Sequence, residues 1–516
     1  MAISFLAIAA FTFYSCSKDS DILADYIDQD IADNQEQVVD ENNQDTTDNQ
    51  DTTNTDNTGS DAGSGRNDNF DYGALKAFPT ALGAGANITG GRGGKVIHVT
   101  TLNWSGPGSL KEAIQTPGKR IIVFDVSGEI DATSQGAYSP IIRGSSYNDL
   151  TIAGQTAPKG GITIRTTEFM FENVNNVILR YIRFRQSVNS MQDALWFVDC
   201  SDMVIDHCTF SHGGDEAGSV ASSTGVSGNV TIQNCFFQDS KTGSILGVDN
   251  VDGDFTFARN LYTNISHRFP NPKGDGQYDI INNVVYNWKY RLVRITGEGT
   301  YNIINNYYKP ARNGLKLPGW FGNGSIPASY MQKVQTQSSD TPLIYASGSV
   351  VTGQRETPKS DDSDMFTVFA GSNLPENSAV PASFFTSSQF PLVGMPFEIL
   401  LAQDAYQYVL ENAGTNAFLT ANGNVEAYWD DKDAGDLQAI INDGYSGSFY
   451  DARTSIPYPV VPKNSRPSDY DTDNDGMPDL WEIAKGFNPQ LDDSAEDKDG
   501  NGYTNIEEFL NLVDVQ

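Results

Sequence analysis

The stretches NVILRYIRF (176–184), DMVIDHCTF (202–210) and NVTIQNCFF (229–237) are variants of one pattern, a polar start followed by a β-rich apolar run. Further copies are DLTIAGQ at 149, DFTFARNLY at 254, QYDIINNVV at 277 and TYNIINNYY at 300, and the starts are spaced by 27, 26, 27, 25, 23 and 23 residues. Each reads as one strand bounded by Gly, Asn, Asp or Ser, with no helical pattern between copies. A helix-free repeat of this period predicts an all-β chain, a right-handed parallel β-helix in which each coil pairs with the next and only stacking completes the core.

Aligning the copies tests this. The seventh positions are Ile182, Cys208, Cys235, Asn260, Asn283 and Asn306. Three asparagines in successive coils are expected to exchange side-chain amide hydrogen bonds along the axis, with Ile and Cys filling the same column as apolar packing. Stacked strands lie about 4.8 Å apart, near the short end of the Cα span of a disulfide. Cys208 and Cys235 could be bridged in an oxidising compartment, and buried free thiols are the favoured expectation. With Cys200 also outside any CxxC pair, zinc and thioredoxin-like chemistry are unsupported.

Outside the repeats the chain changes character. Net charge is −33, and residues 17–66 and 469–516 each carry 14 acids and 2 bases. Such a chain repels nucleic acid, which is not expected as a partner, and attracts cations. Residues 20–66, with NNQDTTDNQDTTNTDNTGSDAGSG, hold too little apolar surface to fold and are expected as a disordered acidic linker. MAISFLAIAAFTFYSC (1–16) is too short for a membrane span and has the form of a signal-peptide apolar region. Cys16, followed by polar sequence, resembles the lipidated cysteine of a bacterial lipoprotein. The expectation is an exported monomer, secreted or held at a membrane only by an N-terminal lipid. The periodicity fades after residue 310, and no function is assigned to residues 310–465. AQDAYQYVLENAG (402–414) predicts one amphipathic helix with a Gly stop. The expected division is 1–16 signal, 17–66 linker, 67–400 β-helix, 401–468 an extension of it, and 469–516 a separate acidic module.

In that module DTDNDGMPDLWE (471–482) and DKDGNGYTNIEE (497–508) match a twelve-residue calcium loop, with oxygen donors at loop positions 1, 3, 5, 9 and 12 and Gly at 6. The expected ligands are Asp471, Asp473, Asp475, Asp479 and Glu482, then Asp497, Asp499, Asn501, Asn505 and Glu508. The preceding NSRPSDY cannot form an entering helix, so the pair looks like the half-EF-hands of dockerins, with calcium in a structural role.

Five further segments carry chemistry: FPTALGAGANITGGRGGKVIHVTTL (78–102), GPGSLKEAI (106–114), IAGQTAP (152–158), VIDHCTFSHGGDEA (204–217) and HRFPNPKG (267–274). Together, in this order on a β-helix repeat, they resemble polysaccharide lyase family 1, the pectate lyases, from about Phe78 to Pro310. The resemblance implies calcium-dependent β-elimination on polygalacturonate, the polyanion of pectin. It implies Asp193, Asp215 and Glu216 as catalytic calcium ligands, although an acid two residues before Asp193, frequent in the family, is here Met191. Arg268 matches the arginine used as Brønsted base. An arginine ordinarily stays protonated, so a fixed cation steadying the enolate-like charge is the alternative role, with Pro270 fixing its loop. Lys241, Lys273 and Arg294 match basic substrate-binding positions, Lys273 replacing a frequent Arg. Asp206 and His207 are expected to pack rather than react. Three rival functions are a polygalacturonase-type hydrolase, whose acid cluster is missing here, a calcium-free pectin lyase, and a non-catalytic pectin-binding surface protein.

Overall fold

The structure is a computed structural model. It describes residues 73–515 apart from 135–140, 222–227, 248–252, 312–331, 336–340 and 445–455. The expected signal, Cys16 and the whole of the linker lie outside the described residues.

Three sheets wind into a parallel β-helix. In each coil the chain passes through a first sheet of ten strands, a second of ten and a third of nine. Every pairing between successive coils is parallel. One antiparallel addition, Asn464–Ser465 beside Val126–Ala132, closes an edge of the second sheet. The core follows from registry. Ile122, Ile152, Leu179, Ile205, Ile232, Phe257, Ile280 and Ile303 stand opposite one another in successive strands of the first sheet. They belong to one continuous buried cluster, the stacked core that a solenoid needs because a lone coil cannot enclose it.

Each nine-residue repeat proves to be two strands and not one. The run 176–184 supplies Val177–Arg180 to the first sheet and Ile182–Gln186 to the second. Between them Tyr181 takes φ 56°, and the equivalent His207, Asn234, Arg259, Asn282 and Asn305 also have positive φ. This left-handed residue turns the corner, a conformation that Asn and His tolerate better than most residues. The next residue begins the predicted column. Asn260 Nδ2 donates to Asn283 Oδ1 at 3.1 Å, and Asn283 Nδ2 to Asn306 Oδ1 at 3.1 Å. The backbone N–H groups of Cys235, Asn260 and Asn283 donate to the side-chain oxygens of the next Asn in line. Cys200, Cys208 and Cys235 are buried free thiols.

The solenoid also outlasts its sequence signal. Gln332–Gln335, Leu343–Ser347, Val350–Val351 and Phe366–Val368 continue the three sheets beyond residue 310. At the other end the short helix Leu110–Ile114 buries Leu110, Ala113 and Ile114 in the main core.

Two of the sheets are covered from outside. Residues 77–94 lie flat on the first sheet, their backbone N–H groups donating to Thr151, Thr231 and Thr256. Its glycines are needed for closeness: a Cβ on Gly91 would stand 2.0 Å from the Arg120 carbonyl oxygen, and one on Gly85 2.3 Å from that of Met203. The GGRGG motif is therefore a strap. The C-terminal loops continue the same cover. Met477, Trp481, Ile506, Phe509 and Leu512 pack on Ile121, Val123 and Ala153, so this segment is docked on the solenoid.

The second sheet is covered by the predicted helix, observed as Ala402–Asn412, and by a second one, Asp431–Ile441, that periodicity did not reveal. The latter meets charge with charge. Arg185 contacts Asp430 at 2.6 Å and Asp433 at 2.9 Å, all fully buried. On the third sheet, by contrast, the outward Trp196, Ile245 and Lys273 remain partly exposed.

Candidate active site

The site is built by one turn repeated along the axis, the turn that feeds the third sheet. Asp193 precedes the strand Leu195–Val198, Asp215 and Glu216 precede Gly218–Ala221, and Lys241 precedes Ile245–Gly247. Arg268 precedes Asn271–Lys273. Residues far apart in sequence are thereby brought together at the spacing of neighbouring strands.

Local sequence explains each turn. In HGGDEA a Cβ on Gly213 would lie 2.4 Å from the Glu216 carbonyl oxygen, so the tight bend needs glycine there. Gly243 plays the same part between coils, since a Cβ would come within 2.0 Å of the Arg268 carbonyl oxygen. That oxygen accepts from the Ser244 N–H at 3.0 Å, and Gly243 N–H donates to His267 at 2.8 Å. Arg268 itself holds φ 73° and is followed by a cis Phe269–Pro270 peptide.

The carboxylates of Asp193, Asp215 and Glu216 each offer an oxygen within 4.8 Å of the others. Asp193 and Glu216 are buried at 1% and 0% exposure. Glu216 N–H donates to Asp193 Oδ1 at 3.2 Å, locking the two coils together. The Arg268 guanidinium forms an ion pair with Glu216 and stands 3.8 Å from Asp215. A cluster of three hard oxygen donors with this little water suits a divalent cation.

Sequence reasoning missed Gln186, the last residue of a second-sheet strand. Its Nε2 donates to the Asp193 carbonyl at 2.9 Å and its Oε1 accepts from Gly214 N–H at 2.6 Å. It positions both acidic turns, and only its place at the strand end, seven residues before Asp193, could have singled it out.

The basic candidates divide by exposure. Lys241 and Lys273 are half-buried along the same side as Arg268. Arg294, at 1% exposure, stacks with its guanidinium 4.9 Å from the Phe369 ring centre. Asp206 and His207 do pack: the imidazole pairs with Asp206 at 2.8 Å and stacks on Tyr181 at 4.8 Å.

At the C-terminal loops two carboxylate triads form, Asp471 with Asp473 and Asp475, and Asp475 with Glu482 and Asp493. Burial, reinforced by neighbouring acids, pushes the Asp475 and Glu482 carboxyls up to about 8. Asp479 is not brought in; both its oxygens accept from Thr472. In the second loop the Asn501 amide donates to Asp499 and Glu508, while Asp497 accepts from the Gly500 and Gly502 N–H groups. Asn505 accepts from Lys498 N–H and donates to Asp493. Each loop leads into a helix, Asp479–Lys485 and Asn505–Leu510, and residues 456–470, directly before the first loop, are not helical.

Comparison with known proteins agrees with the geometry. A family model described as pectate lyase matches residues 73–316. A protein of Aspergillus flavus named "Probable pectate lyase C" is 33% identical over 459 residues, covering 85% of this chain and 94% of the relative. The chain belongs to the pectate lyase family. A second pectate lyase of that name, from Aspergillus fumigatus, is 30% identical over 453 residues, covering 85% of the chain and 94% of the relative. Among solved structures, Jun a 1, the major allergen from cedar pollen, aligns over 65% of this chain and 92% of its own with 17% identity and a TM-score of 0.46. Membership makes the chain a polysaccharide lyase.

Proposed function

We propose that this pectate lyase cleaves polygalacturonate by calcium-assisted β-elimination at the third-sheet turns. The observation that carries the reading is the convergence of Asp193, Asp215 and Glu216 beside Arg268. Elimination removes the proton at C5 while the bond from C4 to the glycosidic oxygen breaks, and the electron pair forms the C4–C5 double bond. Asp193, Asp215 and Glu216 would hold calcium, which when bound supplies positive charge to the substrate carboxylate and makes the C5 proton more acidic. Arg268 acts at the reacting carbon, taking that proton or steadying the charge left behind. Lys241 and Lys273 neutralise further uronates along the groove, and Arg294, packed on Phe369, supports the far end. Three acids at the site count against a calcium-free pectin lyase.

The test is ultraviolet absorbance of the unsaturated product from polygalacturonate. Turnover is expected with calcium, to vanish with chelator, and to fall about 10²–10⁴-fold in Arg268→Ala. Reducing ends without that absorbance would instead indicate a hydrolase.

The C-terminal loops are proposed to hold structural calcium, and the N-terminal segment to export the chain with Cys16 acylated. Incorporation of labelled fatty acid that survives Cys16→Ser would refute the anchor.

A further inference from the structure

The first C-terminal loop is closed by a residue that loop counting does not nominate. A twelve-residue loop read by position assigns its ninth residue, Asp479, as a donor. In the structure Asp479 opens the helix Asp479–Lys485, and both its carboxylate oxygens are taken by Thr472, N–H at 2.8 Å and hydroxyl at 2.6 Å. The residue that reaches the loop's acids comes from the connector between the two loops. Asp493 has an oxygen within 4.8 Å of those of Asp475 and Glu482.

These two acids point to a ligand. Glu482 is fully buried, and neither of its carboxylate oxygens has a hydrogen-bond partner; Asp475 is fully buried and its Oδ2 has none. Bare carboxylate oxygens shut away from water are strongly unfavourable unless a cation meets them. The remaining oxygen of Asp475 is oriented by Met477 N–H at 2.9 Å, and Asp471 is oriented by the N–H groups of Asp475 and Gly476. The loop backbone therefore aims these acids and leaves the inner oxygens facing one another.

We propose that one calcium ion is held by Asp471, Asp473, Asp475, Glu482 and Asp493, with Asp493 closing the site in place of Asp479. This rests on the C-terminal loops being calcium sites and changes which residues bind. An all-oxygen set with several carboxylates suits calcium rather than a softer metal.

The placement gives the ion a task. Gly476 sits where a Cβ would come within 2.9 Å of Val96 and 2.7 Å of Ile506, so the loop presses on the solenoid and on the second half of the pair. His98, on the first strand of the solenoid, lies 3.5 Å from Asp471. Asn505, at the start of the second loop's helix, donates to the Asp493 carbonyl at 2.8 Å and to its carboxylate at 3.2 Å. One cation thus ties loop, connector and second helix into the apolar cover of Met477, Trp481, Ile506 and Phe509 over the first sheet.

The experiment uses the full chain carrying Asp193→Asn and Glu216→Gln, which disables the catalytic cluster. Calcium alone is titrated by calorimetry and by Trp481 fluorescence, since that ring stacks on Phe487 at 5.4 Å and packs on Phe509 at 5.3 Å. Calcium uptake is expected, weakened about ten-fold or more by added Asp493→Asn and unchanged by Asp479→Asn, with circular dichroism confirming both fold. Weakening by Asp479→Asn alone would overturn the assignment. So would uptake weakened in Glu482→Gln but unchanged in Asp493→Asn, and that result would leave the C-terminal loops as calcium sites. Absence of any uptake in the doubly substituted background would overturn both, without bearing on the catalytic cluster.

Discussion

Asp206 shows how a residue that resembles a catalytic acid becomes a structural one. Burial alone would raise its carboxyl, but His207 at 2.8 Å and Arg180 hold it well below the usual range. A carboxyl whose folded pKa is depressed stabilises the fold above its unfolded value and loses that contribution as pH falls through the folded one. Asp206→Asn is therefore expected to cost about 3–5 kcal/mol near neutrality, with the gap to wild type closing below pH of about 4. Denaturant unfolding of both proteins between about pH 7 and about pH 3 checks this; a constant gap would show that the pairing carries no charge. At this scale the sequence nominates acids and bases by the motifs they sit in, as with Asp193, Glu216 and Arg268, and the fold brings these three together. It was silent on Gln186, because a glutamine at a strand end has no chemistry of its own and acts only through Asp193 and Gly214.

At the scale of the element, the asparagine ladder is a device that sequence alignment alone could expose. Asn283 accepts from Asn260 backbone and side chain, and donates to Asn306 and to the Phe257 carbonyl. Asn306 has a ladder neighbour on one side among these three. Truncating the middle member leaves more buried groups unsatisfied, each costing about 1–3 kcal/mol. Asn283→Ala should destabilise more than Asn306→Ala in equilibrium denaturation, and the reverse order would mean the ladder is not cooperative. The same repeats concealed their corner, because an apolar alternation of nine residues looks like one strand whether or not its sixth member turns left-handed. The helix Asp431–Ile441 was hidden for the opposite reason. Its buried face includes Asp433 and Asp436 against Arg185 and Lys432, so it lacks the apolar stripe by which helices are recognised.

Across the whole molecule, the coils were legible because each repeats its neighbour, and the covers were not, because each strap is used once and its partners lie hundreds of residues away. Arg92 in the glycine strap pairs with Glu507, and Arg180 in a central coil pairs with Asp514 at 2.7 Å. Asp514 also accepts from Thr80. The loops at 471–508 read as a detachable module for the same reason: their sequence carries the spacing of a twelve-residue acidic loop, and nothing in it describes Ile121 and Val123 beneath.

A solenoid normally grows coil by coil, with each turn stable on the one before. Here the Asp514 carboxylate, in the C-terminal cover, completes contacts begun at Thr80 and Arg180. The coils are free to zip one after another, but the wrapping over the first sheet is tied off only when a segment 334 residues downstream of Arg180 docks on it. With that segment undocked the outer surface of the first sheet would be unfinished while the coils beneath stay stacked, so local opening is expected to begin in the cover and not in the coils.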